Sequence, residues 1–181
     1  MALETKNKIS LPLILLFVPV AFASYLFHEF GHWFIGEILG NDMAFSLNYV
    51  WPKSGEYIAE NHKLYSSIGG PLFTLLLCLL SLLFIELTRS IYFYPIVFFQ
   101  FFVRFFSLVF GGFRQQDEAS IAILSGLGKY TVAIFVILIL LLAVWRASHI
   151  LQISLQKNGL FFAISTASIL LVIGTYELFL P

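Results

Sequence analysis

The sequence predicts an all-α integral membrane protein: about five transmembrane helices in one bundle, with a short interfacial β-hairpin after the first. Three observations lead there. The 181 residues are 60% hydrophobic and only 11% charged, with 21 phenylalanines, whereas soluble domains average about 45–50% apolar. Five apolar stretches reach or approach the roughly 20 residues that cross a bilayer as helix. Between the first two, the apolar run gives way to a period of two. The formal net charge is zero, so neither a basic surface for nucleic acid nor an acidic tail for a soluble partner is present. The lipid bilayer is the expected surrounding.

The first stretch, Leu11–Leu39, follows Lys6 and Lys8 and imitates a secretory signal, down to the small residues of Ala21-Phe22-Ala23. Its apolar run outlasts a signal's core and continues to Leu39, so it is read as an uncleaved anchor. In Met43–Glu60, Phe45, Leu47, Tyr49 and Trp51 alternate with Ala44, Ser46, Asn48 and Val50, and Pro52-Lys53-Ser54-Gly55 reads as a turn. An exposed strand edge of this kind can recruit an extended peptide by strand addition. The second stretch is Ser67–Leu87, opened by Gly69-Gly70-Pro71, and the third is Ile91–Phe110. Arg104 lies inside the third and is expected to pair with a carboxylate such as Glu86, with substrate binding as the alternative. Gly111-Gly112 then offers a bend. Tyr130–Trp145 is the fourth stretch, which the preceding Ser120–Gly128 extends or supplements with a half-span, and Leu160–Leu180 is the fifth. Cys78 lies alone in an apolar run and packs as a small hydrophobe. No repeat or linker divides the chain, so residues 1–181 form one membrane-embedded domain. Basic residues fall on both sides of a five-span arrangement and give no orientation.

The chemistry concentrates in Tyr25–Gly40, YLFHEFGHWFIGEILG. His28 and His32 are four apart, so they project from one helical face, separated by about 40° of rotation. Glu29 stands about 60° around from His32, near enough to take a proton from water beside the rings without being a third ligand. His28-Glu29-Phe30-Gly31-His32 thus fits H-E-x-x-H, in which two neutral imidazoles bind zinc and the glutamate is a general base. Gly31, without a side chain, admits a neighbouring backbone. Ionisable groups at mid-membrane cost about 2.5–3.5 kcal/mol each on insertion scales, so a working metal site is expected there. Glu37, near the end of the same run, reads as a solvated carboxylate.

Zinc sites of this class take three protein ligands and leave one position open. His62 and His149 lie in polar connections and read as interfacial histidines. The stronger source is GGFRQQDEAS, where Asp117 and Glu118 are adjacent. On a helix they point about 100° apart, so one of the two is expected to face the histidines, and helical geometry leaves both open.

These residues resemble the site-2 proteases, a family of intramembrane zinc metalloproteases. HEFGH in an apolar helix, Gly70-Pro71 in the next apolar stretch, and an aspartate 85 positions beyond His32 carry the resemblance over roughly residues 11–126. It implies that His28, His32 and Asp117 bind Zn2+, that Glu29 is the catalytic base, and that residues 128–181 are C-terminal helices outside the catalytic core. It also implies a membrane-protein substrate cut in or near its transmembrane segment, a multi-pass location in the cell's inner or plasma membrane, and a hairpin facing the cytoplasm. Two departures stand out: Thr74 replaces the asparagine of the family's Gly-Pro-x-x-Asn, and Asp117 is followed by Glu118 without the family's glycine or the asparagine and proline before it. The alternatives from other classes are a non-proteolytic metal binder or transporter using the same histidines, and a catalytically silent adaptor on the same scaffold.

Overall fold

The structure, a computed structural model, describes residues 9–110 and 112–179; Lys6, Lys8, Gly111 and Leu180 lie outside the described residues. Helix α1 (Leu11–Leu15) starts with Pro12 in its first turn, where a missing N–H costs nothing, and runs through Leu16 into α2 (Phe17–Ile38). The chain then forms strands β1 (Met43–Phe45) and β2 (Val50–Pro52), paired antiparallel with Ala44 opposite Trp51. Next come α3 (Glu60–Thr88), a 3-10 turn at Ile91–Phe93, α4 (Tyr94–Phe110) and a second 3-10 turn at Phe113–Gln115. The short α5 (Asp117–Leu124) precedes α6 (Thr131–Leu151) and α7 (Leu155–Phe179). Among the described residues, five helical segments are long and apolar enough to cross a membrane: Leu11–Ile38, Glu60–Thr88, Ile91–Phe110, Thr131–Leu151 and Leu155–Phe179.

Successive spans run in opposite directions, which fixes where the core sits. Leu13 and Phe17 from the start of the first span meet Ile85 from the end of the second, Tyr94 from the start of α4, Leu151 from the end of α6 and Phe161 near the start of α7. Phe161 stacks on Phe17 and tilts against Tyr94, both at 5.4 Å. The Tyr94 hydroxyl pairs with Ser148 Oγ at 2.7 Å and donates to Asn158, which satisfies the polar end of an otherwise apolar layer. At the opposite end, α2 and α3 approach until backbone meets backbone. A Cβ on Gly31 would fall 2.5 Å from Gly69 O, and one on Gly69 would overlap Gly31 O. Only residues without a Cβ permit backbones to meet so closely.

Three expectations need correction. The second span begins at Glu60, not Ser67, so Pro71 lies inside α3 and His62 in its first turn. The polar stretch Glu60–Ser66 reads as loop, yet its Ser66 Oγ donates to His32 O on α2 and accepts from the Tyr57 hydroxyl of the preceding loop. The hairpin reverses at Ser46–Tyr49, where Ser46 N–H donates to Tyr49 O at 2.7 Å and Ser46 Oγ to the same carbonyl at 3.2 Å. Pro52–Gly55 forms a second turn, closed by Gly55 N–H to Pro52 O with Gly55 at φ +87°. Finally, Arg104 does not meet Glu86: it lies ten residues, or about 15 Å of helical rise, from the α4 end that adjoins Glu86. Glu86 accepts instead from Arg146 Nε at 2.9 Å on the exposed surface.

Candidate metal centre

Helix α2 presents His28, Glu29 and His32, all buried, toward α3 and α5. The rings fit because α3 offers no side chain there: a Cβ on Gly70 would overlap His32 Nε2 and lie 2.5 Å from His28 Cε1. Each imidazole is oriented by its far nitrogen. His32 Nδ1–H donates to Ser66 O at 2.7 Å, and His28 Nδ1 lies 2.9 Å from Thr74 Oγ1. With Nδ1 so engaged, Nε2 of each ring is the atom turned toward the third donor, the usual placement behind a metal-ligating histidine. Pro71 contributes by lacking the N–H that would bind Ser67 O, which loosens the backbone ladder beside this contact.

The third donor arrives from the far side of the bundle. Gly112, at φ +84°, turns the chain into the 3-10 turn; Gln116 is extended, and α5 begins with Asp117 in its first turn. That approach aims Asp117 at the histidines. His28 Nε2 lies 2.8 Å from Asp117 Oδ2, His32 Nε2 3.2 Å from Asp117 Oδ1, and the two Nε2 atoms are 3.1 Å apart. Burial raises the pKa of the Asp117 carboxyl, but hydrogen bonds from His28 and His32 outweigh it and hold the group well below the usual carboxylate range. Glu118, the other candidate, is 1% exposed and turned away toward Arg104.

This buried group of His28, His32 and Asp117 could hold a metal ion. Ligands at about 2.0–2.1 Å from a tetrahedral zinc stand about 3.3–3.4 Å from one another, and the three groups offer donor atoms within 4.8 Å of one another, near enough for one ion to draw them into place. Two imidazoles and one carboxylate leave a fourth position open. Glu29 completes the group. It makes no hydrogen bond among the described residues and lines the cavity of about 1400 Å³ that also contains the three donors. That cavity extends past Ser66 to Tyr49, Val50 and Trp51, so β2 borders the same space as the metal group.

Several polar residues at the site carry no motif. Thr74 stands where a familiar pattern has asparagine, yet still reaches His28 Nδ1. Gln100 Nε2 donates to Ser24 Oγ at 2.7 Å on the cavity wall, and Gln116 Nε2 is buried there without a hydrogen-bond partner among the described residues. The signal that could have found Ser24 and Gln100 is the one that found the histidines: a polar side chain inside an apolar span. Glu37 turns out to be structural. It accepts the Met43 N–H at 2.8 Å and so ties β1 to the end of α2. His62 likewise contacts buried Asn41, at 3.2 Å, and is not among the three donors. His149 lies on α6, stacked against Trp145 at 6.2 Å. No family model, curated protein or solved structure matches this chain.

Proposed function

We propose that the chain is a multi-pass integral membrane protein of the inner or plasma membrane, and that it is a zinc metalloprotease hydrolysing a peptide bond in or near a substrate's transmembrane segment. The observation that carries the reading is one arrangement: three converging donors, His28, His32 and Asp117, with an unbonded glutamate beside them, all opening on one cavity. Support for the membrane comes from the outer surface. On α3, Leu72, Leu76, Leu79 and Leu83 form an exposed stripe, and Leu138, Leu142 and Trp145 do the same on α6. Apolar faces of this extent suit lipid.

Zinc supplies Lewis acidity at such a centre, acidifying water and polarising a carbonyl. The protein's residues do the rest. Ser66 O and Thr74 Oγ1 hold the imidazoles with both Nε2 atoms turned toward the third donor. Glu29 accepts a proton from the attacking water and delivers it to the departing amine nitrogen. The outer edge of β2, beside the cavity, holds the substrate extended, since a helical segment keeps its carbonyls in internal hydrogen bonds. His32 is six residues from the end of α2, about 9 Å by helical rise. Water entering from the hairpin side therefore has a short path to the donors.

The experiment is Glu29→Gln in the purified, zinc-loaded chain. An amide keeps the size of the side chain but cannot take the proton. Zinc content should stay at the wild-type level while cleavage of a membrane substrate falls by about 10²–10⁴-fold. A metal carrier would instead change its zinc affinity or flux and yield no product in either form. Equal cleavage rates in wild type and Glu29→Gln would remove the assignment.

A further inference from the structure

We propose that Arg104 is a further catalytic residue: its guanidinium donates to the carbonyl oxygen of the scissile bond as negative charge builds there, and Glu118 is the positioning residue that holds it in place. The inference rests on the proteolytic reading above and extends it to residues outside the zinc-binding motif. Arg104 projects from α4 into the cavity that contains His28, Glu29, His32 and Asp117. Its Nη2 lies 2.7 Å from His28 Nδ1 and 2.9 Å from His28 Nε2. Both contacts are made by Nη2, so they engage one end of the guanidinium fork and leave Nε and Nη1 without a hydrogen bond to His28. Its nearest carboxylate oxygens are Glu118 Oε1, 3.5 Å from Nε, and Asp117 Oδ2, 3.8 Å from Nη1. Among the described residues, Arg104 makes no hydrogen bond to an oxygen.

A guanidinium has five donors and no way to lose its charge, so leaving them without oxygen acceptors in a largely buried place is costly. A purely structural ion pair would close the gap to Glu118. Here Glu118 is 1% exposed and, among the described residues, neither of its oxygens is hydrogen-bonded, so the pair is coulombic without being locked by directed bonds. Glu118 holds the Nε side, while Nη1 and Nη2 turn toward the donor group. The arrangement fixes a positive, donor-rich edge beside the reaction centre and leaves it open to an incoming oxygen. Preorganised donors of this kind stabilise developing negative charge without reorganising during the reaction.

The step balances. The water oxygen bonds to the carbonyl carbon, one water proton passes to Glu29, and the carbonyl π pair moves onto oxygen, where Arg104 donates to it. Return of that pair re-forms the C=O bond and breaks the C–N bond. The C–N pair leaves on nitrogen, which takes the proton from Glu29, and the new carboxyl group releases its remaining proton to solvent.

The test uses the full chain in lipid vesicles, zinc-loaded, with a pool of quenched fluorescent peptides whose Leu/Ala transmembrane segments carry randomised positions. Arg104→Gln should keep its zinc and lower kcat by about 10²–10³-fold, with KM within about threefold. A phosphinic version of the best-cleaved peptide, tetrahedral and anionic, should bind Arg104→Gln more weakly by a comparable factor. The uncleaved peptide should bind Glu29→Gln and Glu29→Gln/Arg104→Gln equally, a difference that a merely structural arginine would not produce. Arg104→Lys, keeping the charge without the fork, should recover part of the loss. Wild-type kcat and phosphinic affinity in zinc-replete Arg104→Gln would overturn the inference alone. Should Arg104→Gln lose its zinc, Glu118→Gln decides: kcat and phosphinic affinity reduced about tenfold or more support the inference, and wild-type values overturn it. No cleavage of any peptide by wild type, or equal cleavage by Glu29→Gln, overturns the proposed function and this inference with it.

Discussion

Gly31→Ala tests how the metal centre is held, with no change to any donor. The added Cβ would stand 2.5 Å from Gly69 O and 2.9 Å from Phe73 Cβ, where ordinary contact begins at 3.4 Å. Neither obstacle is a flexible chain end, so α2 and α3 must separate by about 0.9 Å at this point. His32 Nδ1 to Ser66 O, now 2.7 Å, would then stretch to about 3.6 Å, beyond hydrogen-bonding range. Overpacking costs about 1–3 kcal/mol, and loss of the contact that orients a ligating histidine weakens metal binding by about 10–100-fold. The assay is zinc affinity by competition with a chelator of known strength, alongside thermal stability in detergent. Gly159→Ala on α7, where nothing lies within 4 Å of the new methyl, is the control and should keep wild-type zinc affinity. Wild-type zinc affinity in Gly31→Ala would refute the claim that backbone contact between α2 and α3 sets the position of His32.

Thr74→Val removes the acceptor for His28 Nδ1 at nearly constant volume and should weaken zinc by about 10-fold or more, while Thr74→Ser restores it; equal affinities in all three proteins would show that the hydroxyl does not orient the ring. Asp117→Ala should lose most bound zinc and Glu118→Ala should keep it, measured as metal per protein after gel filtration; the reverse result would exchange their assignments. Ser54 is exposed in the turn after β2 and Cys78 is buried, so Cys78→Ser/Ser54→Cys reports the side on which the hairpin lies. An impermeant thiol reagent added to intact cells should fail to label it, and ready labelling would place the hairpin outside.

Much of this architecture was legible because lipid-facing sequence is restrictive. Charged and polar residues inside apolar stretches are few, so His28, Glu29, His32 and Arg104 announce themselves. The five long apolar segments and the alternation at Ala44–Trp51 follow from the same contrast. What resisted reading was decided by connections. Helical periodicity separates Asp117 from Glu118 by an angle, but which one faces α2 depends on the direction from which α5 starts, and that is set by Gly112, the 3-10 turn and extended Gln116. The start of α3 was hidden because Glu60–Ser66 is polar on every side that meets water, and the inward contact of Ser66 with His32 O leaves no periodic trace. The partner of Arg104 was misjudged for a simpler reason. Counting rise along α4 places it near the α5 end of the bundle, far from Glu86.

The pairing of the two short strands settles how the outer edge of β2 can be addressed. Ser46 N–H donates to Tyr49 O and Lys53 N–H to Asp42 O, which bracket the sheet with bonded pairs. In an antiparallel ladder such pairs alternate, so Trp51, opposite Ala44, directs its backbone groups to β1, while those of Val50 and Pro52 point outward. Proline has no N–H. The free edge therefore offers one donor and one acceptor, both from Val50, since Pro52 O already accepts from Gly55 N–H. An extended segment laid along it finds one place for a carbonyl and is registered by that single N–H; a slip of two residues would leave the carbonyl facing the proline ring. The same proline keeps the edge from growing a sheet with other copies of itself. For the substrate proposed above, a strand of three residues would thus act as a ruler with one mark, fixing which residue of a bound segment is counted from the sheet toward the donors.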